Sequence, residues 1–321
     1  MSAEISLISG TAEIAYRGQV PWHRLGQAII DPDQPIEVWA QQAHLTWNVR
    51  ETPVQTEQGN TCTGWKALVR DDLEHTLWIV RQHYNVVQPR QLLAFFREVQ
   101  QEGVQIETLG ALREGRVIWG LGHIPGAVQL RGEDRILQYL LFATSYDCSL
   151  STIVRRTSVR VVCANTLEAA MNQGKPSSRT THGKVFDFQG ALAATRAALS
   201  NDAPFQGFAE AAKALSERIL SREELVQFFV QCLWPKATPT EIQNNARASN
   251  QLSNLIRIHE HAPGQDLSSA RNTAWGALNA ITYLVDHERG RTQSSRLHSA
   301  LFDSGRQIKA GAWTQALALV A

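Results

Sequence analysis

Near residue 171 the hydrophobic period of this chain changes, and no other feature narrows its fold as much. Before Met171, short β-branched and aromatic runs alternate with Gly-containing turns; beyond Asp187, apolar residues recur at three- and four-residue spacing. A period near two belongs to strands and one near 3.6 to helices, so neither pattern buries its apolar face in the other geometry. With 321 residues the chain can build one large domain or two modest ones. The fold class expected is α+β: an antiparallel β-sheet with a helix packed across it over residues 1–174, followed by an all-helical domain over 185–321. Residues 172–184 are rich in Gly, Pro, Ser and Thr and read as a linker or loop.

Within the first half, strands are predicted at 65–70 and 76–81 around a polar turn at 71–74, then at 104–109, 116–123, 136–144 and 152–162. Pro89 opens a helix that places Leu92, Phe95, Phe96 and Val99 on one face, and Gly103 ends it. Short connections favour antiparallel pairing. In the second half, Ser221 with Glu224 and Thr238 with Glu241 have the spacing of capping boxes, and Asp266 is the expected cap of the helix carrying Ala274, Leu278, Ile281 and Val285.

Composition excludes several classes. A hydrophobic content of 43% argues against wholesale disorder. No run approaches the roughly 18 apolar residues of a membrane span, and the first residues lack the basic start and apolar block of a signal peptide. The expectation is therefore a cytoplasmic protein with no membrane partner. Cys62, Cys148, Cys163 and Cys232 have no metal-type spacing. The formal net charge of +1 means that any nucleic-acid site must be a local patch.

Such a patch stands between Leu150 and Lys184, where six cations face the single acid Glu168. They are Arg155, Arg156, Arg160, Lys175, Arg179 and Lys184. Neutralising phosphates releases condensed counterions, so a local excess of this kind suits a strand-tracking groove. Alternation puts Arg156 and Arg160 on one sheet face and Arg155 on the other. Asn165 and Glu168 then form a reciprocal cap, and Asn165 and Thr166 at that helix start are candidate donors to phosphate. Lys66 and Arg70 are weaker candidates on an earlier strand.

Five motifs carry a family resemblance: Gly18-Gln19-Val20-Pro21-Trp22-His23-Arg24-Leu25-Gly26; Tyr84-Asn85-Val86-Val87-Gln88; Gly115-Arg116-Val117-Ile118-Trp119; Tyr146-Asp147-Cys148-Ser149 continued by Thr157-Ser158-Val159-Arg160-Val161-Val162-Cys163-Ala164-Asn165-Thr166-Leu167; and Asn272-Thr273-Ala274-Trp275-Gly276-Ala277-Leu278-Asn279-Ala280. In this order they resemble the phage/plasmid-like protein family of phages, prophages and plasmids. Cys148 stands where that family carries glycine. The layout is also similar, more distantly, to that of phage single-strand annealing recombinases.

Six of the nine tryptophans fall in the first 119 residues. Exposed rings stack on unpaired bases. Trp22 and Trp65, beside Gly and polar residues, are the expected exposed ones, whereas Trp78 and Trp119 sit in apolar strand patterns and read as core. Enzyme signals are weak. His259-Glu260-His261 lacks the i, i+4 spacing of a helical zinc site, Gly120-Leu121-Gly122 lies mid-strand, and Cys163 reads as a structural thiol. The functional expectation is a non-enzymatic protein with no cofactor and no metal. It binds single-stranded DNA and anneals strands without ATP in phage or plasmid recombination or replication, as a homo-oligomeric ring or filament. The alternative is a host-interaction or anti-defence protein that binds a bacterial protein through its helical half.

Overall fold

The computed structural model describes residues 4–21, 23–31, 34–132, 134–158, 176–201, 203–288 and 304–321. It divides into two compact units, residues 1–126 with 137–201, and residues 127–136 with 202–321. The architecture is α+β with largely antiparallel sheets, as the change of period predicts. Among the described residues no helix is long and apolar enough to cross a membrane.

The first unit is built on a seven-stranded sheet. In chain order its strands are β3 (Ile14–Tyr16), β4 (Gln27–Ala28), β8 (Gln105–Leu112), β9 (Val117–Gln129), β10 (Arg135–Ser145), β11 (Thr152–Thr157) and β12 (Ser178–Thr180). Their spatial order is β12-β11-β10-β9-β8-β3-β4. The β3–β4 pair at one edge is parallel. A three-stranded antiparallel meander, β5 (Val49–Gln55), β6 (Thr61–Arg70) and β7 (Thr76–Arg81), forms a separate sheet, and β1 (Leu7–Ile8) pairs with β2 (Thr11–Ala12).

Side-chain alternation splits the large sheet into two faces. Leu140, Phe142 and Val154 enter one core with helices α1 (Ile36–Gln42) and α2 (Pro89–Gln100), while Tyr139, Leu141 and Ile153 enter another with Trp119 and Ile14. The predicted stripe of α2 is the buried one: Leu92, Phe95, Phe96 and Val99 are sealed from solvent. Gln91 closes its start by accepting from Gln88 N at 2.8 Å. The helix lies close on the sheet because Gly120 has no Cβ; one built there would meet the Phe96 ring at 2.3 Å.

Two boundaries differ from expectation. The segment expected as a linker contains β12, whose Ser178, Arg179 and Thr180 pair with Val154, Ile153 and Thr152 of β11. Paired backbone amides hold it where composition suggested only a loop. Helix α3 (Phe188–Ser200) belongs to the first unit, not the helical one, because Phe186, Ala191 and Leu192 pack into the sheet's core. Strand β11 is described to Thr157; the expected continuation 159–162 lies outside the described residues.

The second unit comprises α4 (Ala203–Glu217), α5 (Arg222–Leu233), α6 (Pro239–Gln243), α7 (Ala246–His261), α8 (Ala274–Tyr283), a π-helical turn (Leu284–Glu288) and α9 (Ser304–Leu317). Both capping boxes form: the Glu224 carboxylate accepts from Ser221 N at 2.8 Å, and that of Glu241 from Thr238 N at 2.7 Å. The helix after Thr238 ends at Gln243, and Asn245 caps α7 afresh by accepting from Ala248 N. The cap of α8 is Thr273 rather than Asp266. Its hydroxyl accepts from Gly276 N and donates to Ser269 O, which explains Thr273 and Gly276 in the last motif. A Cβ at Gly276 would lie 1.9 Å from Ala270 O, so only glycine fits there. The tip between β9 and β10 joins this unit through Ser268 Oγ donating to Arg131 O and Ser269 Oγ donating to Asp134 Oδ2 at 2.6 Å.

Candidate nucleic-acid interface

Among the described residues the predicted cations do not share one face. On β11, Arg156 shares the face of Val154, and its guanidinium donates to Ala198 O at 3.0 Å, Asn201 O at 3.1 Å and the Gln138 side chain. It pins the C-terminal end of α3, where carbonyls without intrahelical donors favour a cation, and so is committed within the fold. Arg155 points to the opposite face, as alternation requires, and is 3% exposed. Pairing of Ile153 with Arg179 brings the exposed Arg179 to that same face. Burial, and then the Arg179 charge, push the Arg155 guanidinium below its ordinary pKa. Arg155 and Arg179 are thus brought together instead of Arg156 with the loop. Lys184 is exposed. Arg160, Asn165, Thr166 and Lys175 lie outside the described residues.

The two weaker candidates are occupied elsewhere. Lys66 is buried, with Nζ 2.8 Å from Glu51 Oε2. Arg70 is sealed from solvent, and its guanidinium donates to both Glu13 oxygens at 3.0 and 2.9 Å and to both Asp72 oxygens at 3.0 and 2.8 Å. It also lies 4.2 Å above the Trp47 ring. Burial raises the Glu13 pKa against the pull of Arg70. For Arg70, burial opposes the charge, and the hydrogen bonds it donates to Asp72 and Glu13 outweigh that. The bidentate geometry is that of a charged pair at neutral pH. Neither Lys66 nor Arg70 presents a free cation to a phosphate.

The signature motifs converge as an internal joint. Tyr84 Oη donates to Ser145 O at 2.6 Å, Tyr146 Oη to Val87 O at 3.0 Å, and the Gln88 side chain pairs with the backbone N and O of Val49 at 2.8 and 2.9 Å. His182 stacks on Tyr84 with ring centroids 4.3 Å apart, its two ring nitrogens facing Asn85 O and Leu150 O at 3.2 and 3.0 Å. Burial pushes both phenols well above their ordinary pKa, so they stay protonated. Asp147 accepts from Ser149 N at 2.9 Å, and between them Cys148 adopts φ +63°, the left-handed region that glycine favours. Burial and then Asp147 raise the Cys148 thiol. Among the described residues no three His, Cys, Asp or Glu side chains are grouped to hold a metal ion.

A different surface brings exposed aromatics and cations together. On the three-stranded sheet Trp65 lies opposite Arg81, and Ala67 opposite Ile79. Trp65 is 38% exposed and Ile79 47%. The Arg81 guanidinium sits 4.1 Å over the Trp65 ring. Trp65, Ala67, Ile79, Arg81, Thr52 and Arg50 share this outward side by register, with no carboxylate among them; Glu74 of the adjacent turn binds Arg50. Trp65 is thus exposed as its neighbours suggest, and Trp119 is buried as expected. Trp78 is a correction: it is 45% exposed on edge strand β7, not core. Trp22 lies outside the described residues.

The pairing of Trp65 with Arg81 was hidden by one residue. A register symmetric about the 71–74 turn sets Trp65 against Val80, but an irregularity between Leu68 and Val69 shifts the ladder. The available signal was the lone Arg that closes the continuous apolar run 77–80.

A domain of unknown function, DUF932, matches residues 76–302. The chain belongs to this family. The DUF932 span holds the Tyr84–Gln88, Gly115–Trp119, Tyr146–Ser149 and Asn272–Ala280 motifs, together with Trp78, Arg81 and Arg116, whereas Trp65 and the Gly18–Gly26 motif precede it. No curated protein and no solved structure matches the chain.

Proposed function

We propose that this DUF932 chain binds single-stranded nucleic acid without sequence preference and, as a homo-oligomer, anneals complementary strands in phage or plasmid recombination or replication. The observation that carries the reading is the Trp65–Arg81 pair on an outward sheet face without carboxylates. An exposed indole offers an apolar plane to an unpaired base, and every base has a π-face, so such a contact is tolerant of sequence. The stacked guanidinium keeps N–H groups for phosphate, and Arg81 has no ion pair among the described residues. Exposed Arg179 and Lys184 add positive charge to the same unit. Annealing itself is supported by the motif order and by the likeness of its layout to annealing recombinases, an argument by analogy. Base pairing then supplies specificity, and no nucleotide hydrolysis is needed.

Fluorescence anisotropy with labelled oligothymidylate and a duplex of equal length, across a salt series, tests the reading. Tighter binding to the single strand, falling steeply with salt and weakened in Trp65→Ala and Arg81→Ala, is the expected result. Equal affinity for both, or binding indifferent to both substitutions, overturns it.

A further inference from the structure

The second exposed tryptophan of β7 has a place of its own. Trp78 pairs with Leu68, which puts it on the side of the sheet opposite Trp65 and Arg81. That side is the buried one: Leu68, Val80 and Lys66 are all covered, and Trp78 alone among these is 45% exposed. It reaches solvent because β7 is an edge strand. The Arg116 guanidinium lies 5.4 Å from its ring centroid. Arg116 is delivered by the turn between β8 and β9, in which Arg113, Glu114 and Gly115 all have positive φ. One edge strand therefore serves two aromatic–guanidinium pairs, one on each side. The positions 78 and 81 are separated by about 10 Å, at ~3.3 Å per residue.

We propose that one nucleic-acid strand crosses the free edge of β7 and stacks one base on Trp65 and another on Trp78. The proposal rests on the single-strand reading above and names the path of the strand. Two rings on opposite sides of an edge engage only a chain that bends sharply between neighbouring bases. A duplex, with a persistence length of about 50 nm and its bases paired inward, does not. The two stations differ in charge. Glu114 stands 3.5 Å from Arg116 and 3.4 Å from His75, so positive charge is offset beside Trp78, whereas Arg81 has no such neighbour on its face. Trp78 accordingly supplies stacking, and Arg81 supplies most of the salt dependence.

The test uses the full chain with oligothymidylates of increasing length and the variants Trp65→Ala, Trp78→Ala, Trp78→Phe and the double alanine. On long oligomers each alanine variant is expected to weaken binding roughly 5- to 150-fold, with Trp78→Phe retaining most of the affinity. On oligomers too short to reach both rings, only one ring is engaged at a time, so Trp78→Ala alone changes affinity little and the double alanine is needed to remove the stacking contribution. The salt slope changes in Arg81→Ala and stays in Trp78→Ala. A Trp78→Ala protein, folded by circular dichroism, that binds long strands like wild type while Trp65→Ala does not would overturn the edge-crossing path and leave the single-strand reading standing. Absence of binding to any oligomer overturns both.

Discussion

Arg70 illustrates how one residue's chemistry is decided by distant partners. Its guanidinium sits under Trp47 and between Glu13 and Asp72, with no solvent to relieve it. Removing one member of a buried pair leaves the other charged and unpaired, at a cost of about 3–5 kcal/mol. Because Asp72 still binds Arg70, Glu13→Ala is expected to lower stability by less than that, about 1–3 kcal/mol, in chemical denaturation, with single-strand affinity of the folded fraction unchanged. Cys148 predicts a change of the opposite sign. A non-glycine residue in the left-handed region carries roughly 1–2 kcal/mol of strain, part of which glycine's backbone entropy offsets. Cys148→Gly is expected to stabilise by about 0.5–1 kcal/mol, and an unchanged or lowered denaturation midpoint would count against strain at φ +63°.

At the scale of elements, Arg156 ties the end of α3 to the sheet through two backbone carbonyls. Hydrogen bonds from a charged donor contribute about 1.5–3 kcal/mol when made in partly buried surroundings. Arg156→Ala is expected to speed hydrogen exchange at the last turn of α3 before it affects β11; uniform exchange across the unit would refute the staple. The capping boxes of α5 and α6 give a pH prediction. The Glu224 carboxyl is held below its ordinary 4.5 by the Ser221 backbone N–H and then by Arg218, and that of Glu241 by the Thr238 backbone N–H and hydroxyl. A depressed carboxylate contributes stability that is present above the unfolded value and lost as pH falls through the folded one. Helicity measured by circular dichroism should fall below about pH 4.5 in the wild type. Glu224→Gln with Glu241→Gln should flatten that limb. Elements were also the level most legible from sequence. The buried stripe of α2 and both capping boxes depend on residues within one or two turns, so local spacing suffices to find them.

The whole molecule shows a division that composition alone does not locate. The tip between β9 and β10 belongs to the helical unit, where Asp134 accepts from Ser269 Oγ at 2.6 Å beside the start of α8. Asp134→Ala is expected to cost about 1 kcal/mol and to raise hydrogen exchange at 269–273 in particular. Protection unchanged there would show that the tip is not needed by that unit. Amino-acid order by itself determined the α+β class, the buried stripe of α2, the capping boxes at Ser221 and Thr238 and the exposure of Trp65, because each follows from period or from neighbours a few residues away. Tertiary structure alone decided that Arg70 meets Glu13 across 57 positions. It also set Arg156 on a helix end, made the expected linker into a paired strand, and faced Trp65 with Arg81 through a one-residue irregularity. Register, edge position and the burial of a charge are properties of which distant segments meet. A guanidinium reads the same in sequence whether it is destined for a carboxylate, a helix carbonyl or open water.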